Sequence, residues 1–216
     1  MDFKDVLDHR RATRKFSSQQ VNDKVLTQII EDAQRAPSLL NSQPWRVYVA
    51  QGEVVDKIRK EFQDLVEAGE PSREDFSKLL KVEWDVFPSK NMSSMSDNLS
   101  FFLRGEMDQF QDAQEWLYDA HTFIYMTIPK KSPAWSLFDL GAFSQTLMLS
   151  AANHGLATMP SHQIVKYPDV IRKYLPISED EAIGMAIGIG YPDKRASINS
   201  YHSKRLPVDS ILKITK

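Results

Sequence analysis

Three groups of residues carry side chains suited to gripping a ligand. Arg10, Arg11 and Arg14 place three guanidiniums within five residues. A guanidinium is a planar fork that makes charge-assisted, bidentate contacts to phosphate oxygens, so the cluster is a candidate phosphate holder; a solvated basic surface is the plainer alternative. Arg205, beside Lys204 and before Leu206-Pro207, is a second basic spot far along the chain. The stretch Pro37-Ser38-Leu39-Leu40-Asn41-Ser42-Gln43-Pro44-Trp45 joins prolines, hydrogen-bonding side chains and a large aromatic. A bare connector needs only about four to six residues. This composition suits a loop against a planar polar ligand, or else a structural loop around a buried Trp. Thr158-Met159-Pro160-Ser161-His162-Gln163 reads as a polar, Pro-bent loop. It either offers backbone N–H groups to a ligand or merely connects two elements.

Several chemistries are excluded or disfavoured. There are no cysteines, so disulfides, thiolate nucleophiles and cysteine-ligated metals are out. The histidines at 9, 121, 154, 162 and 202 lack metal-site spacing, so no metal is expected. No GxGxxG, P-loop or GxSxG occurs, and Gly188-Ile189-Gly190 lacks both the third glycine and a following helix. The formal net charge of -2 gives no electrostatic case for nucleic acid or a membrane surface as partner. No apolar run approaches the roughly 18 residues of a membrane span, and the start of the chain has no apolar signal region. A cytoplasmic protein is expected. With neither nucleophile nor metal, a bound organic cofactor is the remaining source of chemistry. A planar one bearing a phosphate would account for both arginines and loops.

The elements that must position these residues follow from periodicity. Phe3, Val6 and Leu7 predict a short helix ending near His9 or Arg10. Asn22 caps a second, with Val25, Ile29, Ile30 and Ala33 on one face and Pro37 as its stop. Residues 47–50 read as a strand, Gln51-Gly52 as a turn, and 54–66 as an amphipathic helix. Residues 69–118 are expected to hold helices broken at Pro71 and Pro88. Residues 122–128 and 182–190 read as buried strands, the second with glycines that let another element come close. The longest helix runs from about Ala134 to Asn153, stops at Gly155 and is buried on more than one side; Asp139 on it is expected to be a partnered buried or interface acid. The apolar tail, with Leu206, Val208, Ile211, Leu212 and Ile214, must be covered by something. The expectation is a single α+β domain over 1–216.

Arg10-Arg11-Ala12-Thr13-Arg14-Lys15-Phe16 resembles the RRSxRxF opening of the FMN-dependent nitroreductase family. The 37–45 stretch resembles that family's PSxxNxQPW. Asp139 through Gly155-Leu156-Ala157-Thr158 to Pro160 resembles its long central helix and following loop. Gly188-Ile189-Gly190-Tyr191-Pro192 resembles its last strand, and Lys204-Arg205-Leu206-Pro207 its late basic motif. The resemblance implies a sandwich with a central, mostly antiparallel sheet flanked by helices, in an intertwined homodimer with FMN at the interface. It implies that Arg10, Arg11 and Arg205 hold the FMN phosphate and that Arg14 reaches the pyrimidine edge or ribityl chain. Pro37, Ser38, Leu39 and Asn41 would line the flavin of the other subunit. Pro160, Ser161 and a backbone N–H near His162 would cover the ring. Ala12 stands where the family has Ser, removing one hydrogen bond, and His162 stands where some members have Glu. Residues 69–118 would shape a variable substrate pocket.

The implied chemistry is hydride transfer from NAD(P)H through flavin N5 to nitroaromatics, quinones or similar small-molecule acceptors, in a ping-pong cycle. No protein residue is catalytic in that scheme, and protons come from water. Dehalogenation, flavin fragmentation, dehydrogenation and non-catalytic flavin binding are the alternatives on the same fold.

Overall fold

In a computed structural model, which describes residues 1–76 and 83–216, four strands form one sheet in the order β1-β2-β4-β3. They are β1 (Arg46–Gln51), β2 (Thr122–Pro129), β3 (Ala157–Pro160) and β4 (Glu181–Gly190), and every neighbouring pair is antiparallel. The central strand β2 is buried along its length except at Pro129. Its side chains alternate between two cores, as a pleated strand requires. Phe123 and Tyr125 face one core, and Ile124, Met126 and Ile128 the other.

Helices cover both faces. Against Ile124 and Met126 lie α2 (Asp23–Ala33) and α6 (Trp135–Asn153), through Ile29, Ala33, Leu140, Phe143 and Leu147. Against Phe123 and Tyr125 lie α3 (Glu53–Glu67), the end of α4 (Val86–Phe102), α5 (Asp108–Glu115) and α7 (Pro168–Tyr174). The short α1 (Phe3–His9) delivers the chain to Arg10 and is capped by the Asp2 carboxylate. This is the expected α+β sandwich. Among the described residues no helix is long and apolar enough to cross a membrane.

The long helix, the two buried strands and the Asn22 cap stand where the sequence puts them. The glycines of β4 do admit close neighbours. A Cβ at Gly190 would stand 3.2 Å from the Phe16 ring, and one at Gly184 would collide with Leu140 of α6. Two expectations fail. Pro88 does not break a helix: it lies in the first turn of α4, where an N–H has no intrahelical acceptor and none is missed. Residues 158–160, expected as loop, belong instead to the edge strand β3, and Pro160 is tolerated because it ends an edge strand. Within the 69–118 segment, residues 77–82 lie outside the described part. In the single chain the apolar tail is uncovered, with Val208, Ile211 and Ile214 exposed.

Candidate functional site

Residues 10–16 leave α1 in extended form and lie along the sheet edge. Ala12 bridges Thr158 of β3, and the Thr13 N–H donates to the Thr158 carbonyl at 3.0 Å. Phe16 N donates to the Tyr118 carbonyl at 3.1 Å. The Asn199 side chain clamps the strip: its Oδ1 accepts from Arg14 N (2.8 Å) and Lys15 N (3.1 Å), while its amide donates to the Lys15 and Asp193 carbonyls. This geometry forces Arg14 inward, to 5% exposure. Its guanidinium lies 5.8 Å from the Phe110 ring and 5.5 Å from the Tyr201 ring, and its Nη1 donates to the Ala12 carbonyl. Its Nε is buried with no hydrogen-bond partner among the described residues. Burial pulls the Arg14 pKa below the usual arginine value, against the opposing pull of Tyr118 and Tyr201.

Arg10 is half-buried, and its pKa is lowered first by burial and then by the charge of Arg205. Among the described residues neither cation is bridged to a carboxylate. Arg205 Nη1 donates to the Ser203 carbonyl and hydroxyl, and Arg11 Nη1 lies 2.6 Å from His202 Nε2. Arg10 and Arg11 also border a cavity of about 140 Å³ with Thr13, Ala152 and Thr158. The fold thus brings Arg205 near enough to Arg10 for their charges to oppose one another.

Beyond Pro160, the Ser161 N–H donates to the Ala186 carbonyl at 3.1 Å, extending the β3 pairing by one residue. The buried Ser161 hydroxyl accepts from Gln163 N at 3.1 Å, capping a single 3-10 turn at His162–Val165. The same oxygen lies 2.9 Å from the Tyr118 hydroxyl. Tyr118 sits in a left-handed turn, with φ of 48°, 64° and 53° at Leu117, Tyr118 and Asp119. Burial raises its phenol pKa, outweighing the Ser161 hydrogen bond and the Arg14 charge, so it stays neutral at physiological pH. Arg14, Tyr118, Ser161 and His162 therefore form one connected wall. His162 Nε2 makes an ion-pair contact with Glu74 Oε1, and the Glu74 side chain is only 9% exposed.

The 37–45 loop is built differently. The Leu39 N–H points at the buried Asp139 carboxylate, 3.2 and 3.3 Å from its two oxygens, so Asp139 is a partnered buried acid. Ser38 Oγ accepts from Gln43 N at 2.9 Å. The Trp45 indole donates to Gln34 Oε1 and stacks 4.8 Å from the Phe143 ring. Leu40, Asn41 and Gln43 have positive φ, and Leu40 is 95% exposed. Pro37 and Asn41 are exposed, and Ser38 is half-buried. The loop is anchored at Asp139, near the start of α6, whereas Arg10 and Arg11 sit beside Ala152 near its end. At 1.5 Å per residue those points are about 20 Å apart. One chain thus brings Arg10, Arg11, Arg14, Arg205, Pro160, Ser161 and His162 into one region and leaves Pro37, Ser38, Leu39 and Asn41 in another.

The model for the Nitroreductase family matches residues 7–191. The chain belongs to the nitroreductase family. Among curated relatives it is 26% identical to a 4-nitrobenzoate reductase from Pseudomonas putida, over 94% of this chain and 91% of that one. It is 28% identical to the nitroreductase NfnB of Mycolicibacterium smegmatis, over 91% and 85%. A solved structure of the FMN and NADPH-dependent nitroreductase NfnB from sphigopyxis sp. strain HMH superposes with a TM-score of 0.90 at 22% identity, covering all of both chains. That likeness speaks for the nitroreductase fold. Within this fold, sequence reasoning missed Tyr118, Asn199, Tyr201 and Glu74. None sits in a motif: Asn199 acts across more than 180 residues and Glu74 across 88, so no local pattern marks them.

Proposed function

We propose that the protein is an NAD(P)H-dependent FMN oxidoreductase reducing nitroaromatics, quinones or similar acceptors in a ping-pong cycle. The observation that carries this reading is the set of underused cations: Arg10 against Arg205 with no carboxylate at hand among the described residues, and the buried, partnerless Nε of Arg14. Such groups fit a phosphate and a polar ring edge. Arg10, Arg11 and Arg205 hold the phosphate, and Arg14 takes the pyrimidine edge or ribityl chain. Pro160, Ser161 and the His162 backbone N–H cover the ring. Ala12 offers only backbone there, since it has no hydroxyl. When bound, FMN supplies the two-electron carrier between NAD(P)H and the acceptor. Arg14, kept out of water by Phe110 and Tyr201, opposes the negative charge that reduction brings. The relatives named for 4-nitrobenzoate and for nitroreduction favour a nitroaromatic acceptor.

The same reading makes the working unit a homodimer. The 37–45 loop lies too far from its own chain's arginines to share their ligand, so Pro37, Ser38, Leu39 and Asn41 serve the site of a second copy. Exposed Trp135, Leu137 and Phe138 on the first turn of α6, with Ile211, Leu212 and Ile214 of the tail, supply apolar surface for that contact. A reaction drawing on NAD(P)H fits the cytoplasm.

The purified protein is expected to be yellow, with flavin absorption, and to oxidise NADH or NADPH when nitrobenzene or menadione is added. Colourless protein that FMN does not reconstitute would overturn the assignment. On dilution, dissociation to monomers and release of FMN should occur together, as read by flavin fluorescence alongside light scattering.

A further inference from the structure

We propose that Tyr118 and Ser161 act as one hydrogen-bond donor to a pyrimidine carbonyl of bound FMN, with Tyr118 as the positioning residue; the inference rests on the FMN oxidoreductase reading above and adds to it a residue that lies in no motif. Three observations carry it. First, both residues are buried, at 3% and 5% exposure, and their hydroxyls lie 2.9 Å apart. Ser161 Oγ also accepts from Gln163 N at 3.1 Å. Burial keeps the phenol protonated, so the pair holds two protons. One is used between the two oxygens, and one is left whichever oxygen donates. Among the described residues nothing accepts it. Second, the neighbouring Arg14 also has unused donors. Its Nε is buried without a partner, and the Nη1 contact to the Ala12 carbonyl is long, at 3.4 Å. Two unspent donors side by side suit an oxygen that gains negative charge on reduction. Third, Tyr118 is held in disfavoured backbone. Leu117, Tyr118 and Asp119 all have positive φ, which non-glycine residues keep only where their surroundings over-determine it. Buried Arg59 clamps both ends of this turn, Nε donating to the Trp116 carbonyl at 3.0 Å and Nη2 to the Ala120 carbonyl. Phe16 N bonds the Tyr118 carbonyl, and Lys15 pairs with Asp119.

The order within the pair follows from acidity. A phenol is the stronger donor and an aliphatic hydroxyl the stronger acceptor, so Tyr118 donates to Ser161. Both lone pairs of Ser161 Oγ are then filled, by Tyr118 and by Gln163 N, and its own proton points away from both. An oxygen that accepts two hydrogen bonds is polarised into a better donor. The Ser161 backbone is fixed by its N–H bond to the Ala186 carbonyl, so this donor is held at the end of the sheet edge. Arg14 and Ser161 thus bring two donors to one edge of the bound ring, and Tyr118 directs the second. Because reduction puts negative charge on the pyrimidine oxygens, both donors favour reduced over oxidised flavin.

The test uses FMN-loaded full-length protein, the variants Tyr118→Phe and Ser161→Ala, and their double. Each single variant is expected to weaken FMN binding roughly three- to tenfold in fluorescence titration, the range of one hydrogen bond. Each should also lower the midpoint potential of bound FMN, read by dye equilibration, because the lost donor favoured the reduced ring. The infrared carbonyl band of bound FMN should move to higher frequency in both. In the double variant the changes should be no larger than in Ser161→Ala alone, since Tyr118 acts through Ser161. A merely structural Tyr118 would lower the folding stability of the FMN-free protein and leave the potential and the carbonyl band of the loaded protein unmoved. That result, or effects that add fully in the double variant, overturns the proposal. If Tyr118→Phe does not fold, Ser161→Ala decides in the same way, and an unmoved potential and band in it overturn the proposal alone. Wild-type protein that binds no FMN removes the oxidoreductase reading and this one with it; wild-type binding with an unmoved potential in the variants removes this one alone.

Discussion

The strip at 10–16 and the loop at 37–45 are both short, irregular and rich in hydrogen bonds, yet they are held by opposite means. The strip is tied by partners far along the chain: Thr158, Tyr118 and Asn199 all bond its backbone. Among the described residues its three arginines make no ion pair with a carboxylate, whereas Lys15 is paired with Asp119. The loop is tied locally, by Ser38 to Gln43, by Trp45 to Gln34, and by one longer reach from Leu39 to Asp139. Its tip holds three non-glycine residues in left-handed geometry, and each such residue costs roughly 1–2 kcal/mol. The strip is therefore a set of arginines positioned by long-range contacts within one chain. The loop is a pre-shaped surface whose most exposed residue, Leu40, faces away from its own core.

That contrast can be broken at several points. Trp45→Ala should have the largest effect, because it removes a buried ring packed on Phe143 together with its hydrogen bond. A loss of about 3–5 kcal/mol in folding stability is expected by denaturant titration; a loss below about 1 kcal/mol would mean that the loop is merely draped over α6. Arg205→Ala should weaken FMN binding by ~1.5–3 kcal/mol, the range of a charge-assisted hydrogen bond, while leaving the melting temperature of the cofactor-free protein nearly unchanged. Equal FMN affinity in fluorescence titration would remove Arg205 from the phosphate seat. Asp139→Asn should destabilise by ~1–2 kcal/mol, since the Leu39 N–H loses a charged acceptor. Leu40→Gly should have the smallest effect and the opposite sign on the isolated chain, a gain of about 1 kcal/mol from relieved backbone strain. In the proposed dimer it should weaken association, and sedimentation of the variant separates the two effects.

What could be read from the sequence divides along the same line. β2 and β4 were legible because an unbroken apolar run is what a strand covered on both faces requires, and α6 because its apolar residues exceed one stripe. Arg10, Arg11 and Arg14 stood out because three guanidiniums so close together repel unless something shares them. β3 was not legible: four residues are too few for a period, and Pro160 argued against a strand. Pro88 misled because a helix-breaking residue carries no penalty in a first turn. Tyr118, Asn199 and Glu74 take their roles from contacts that only the folded topology creates. The division of the candidate site between two ends of α6 is also invisible in a linear motif, since spacing along a chain says nothing of distance along a helix it has yet to meet.

The Asn199 clamp has a consequence for the order in which the molecule is made. Residues 10–16 are made long before the side chain that fixes their backbone, since Asn199 follows Arg14 by 185 residues. The sheet edge they rest on, at Thr158, is also late. Chains generally fold from the N-terminus as they emerge, yet here the basic strip must wait, loose, until Asn199 has been made. An early-made segment is thus placed late, and a nascent chain cannot fix this strip before Asn199 arrives.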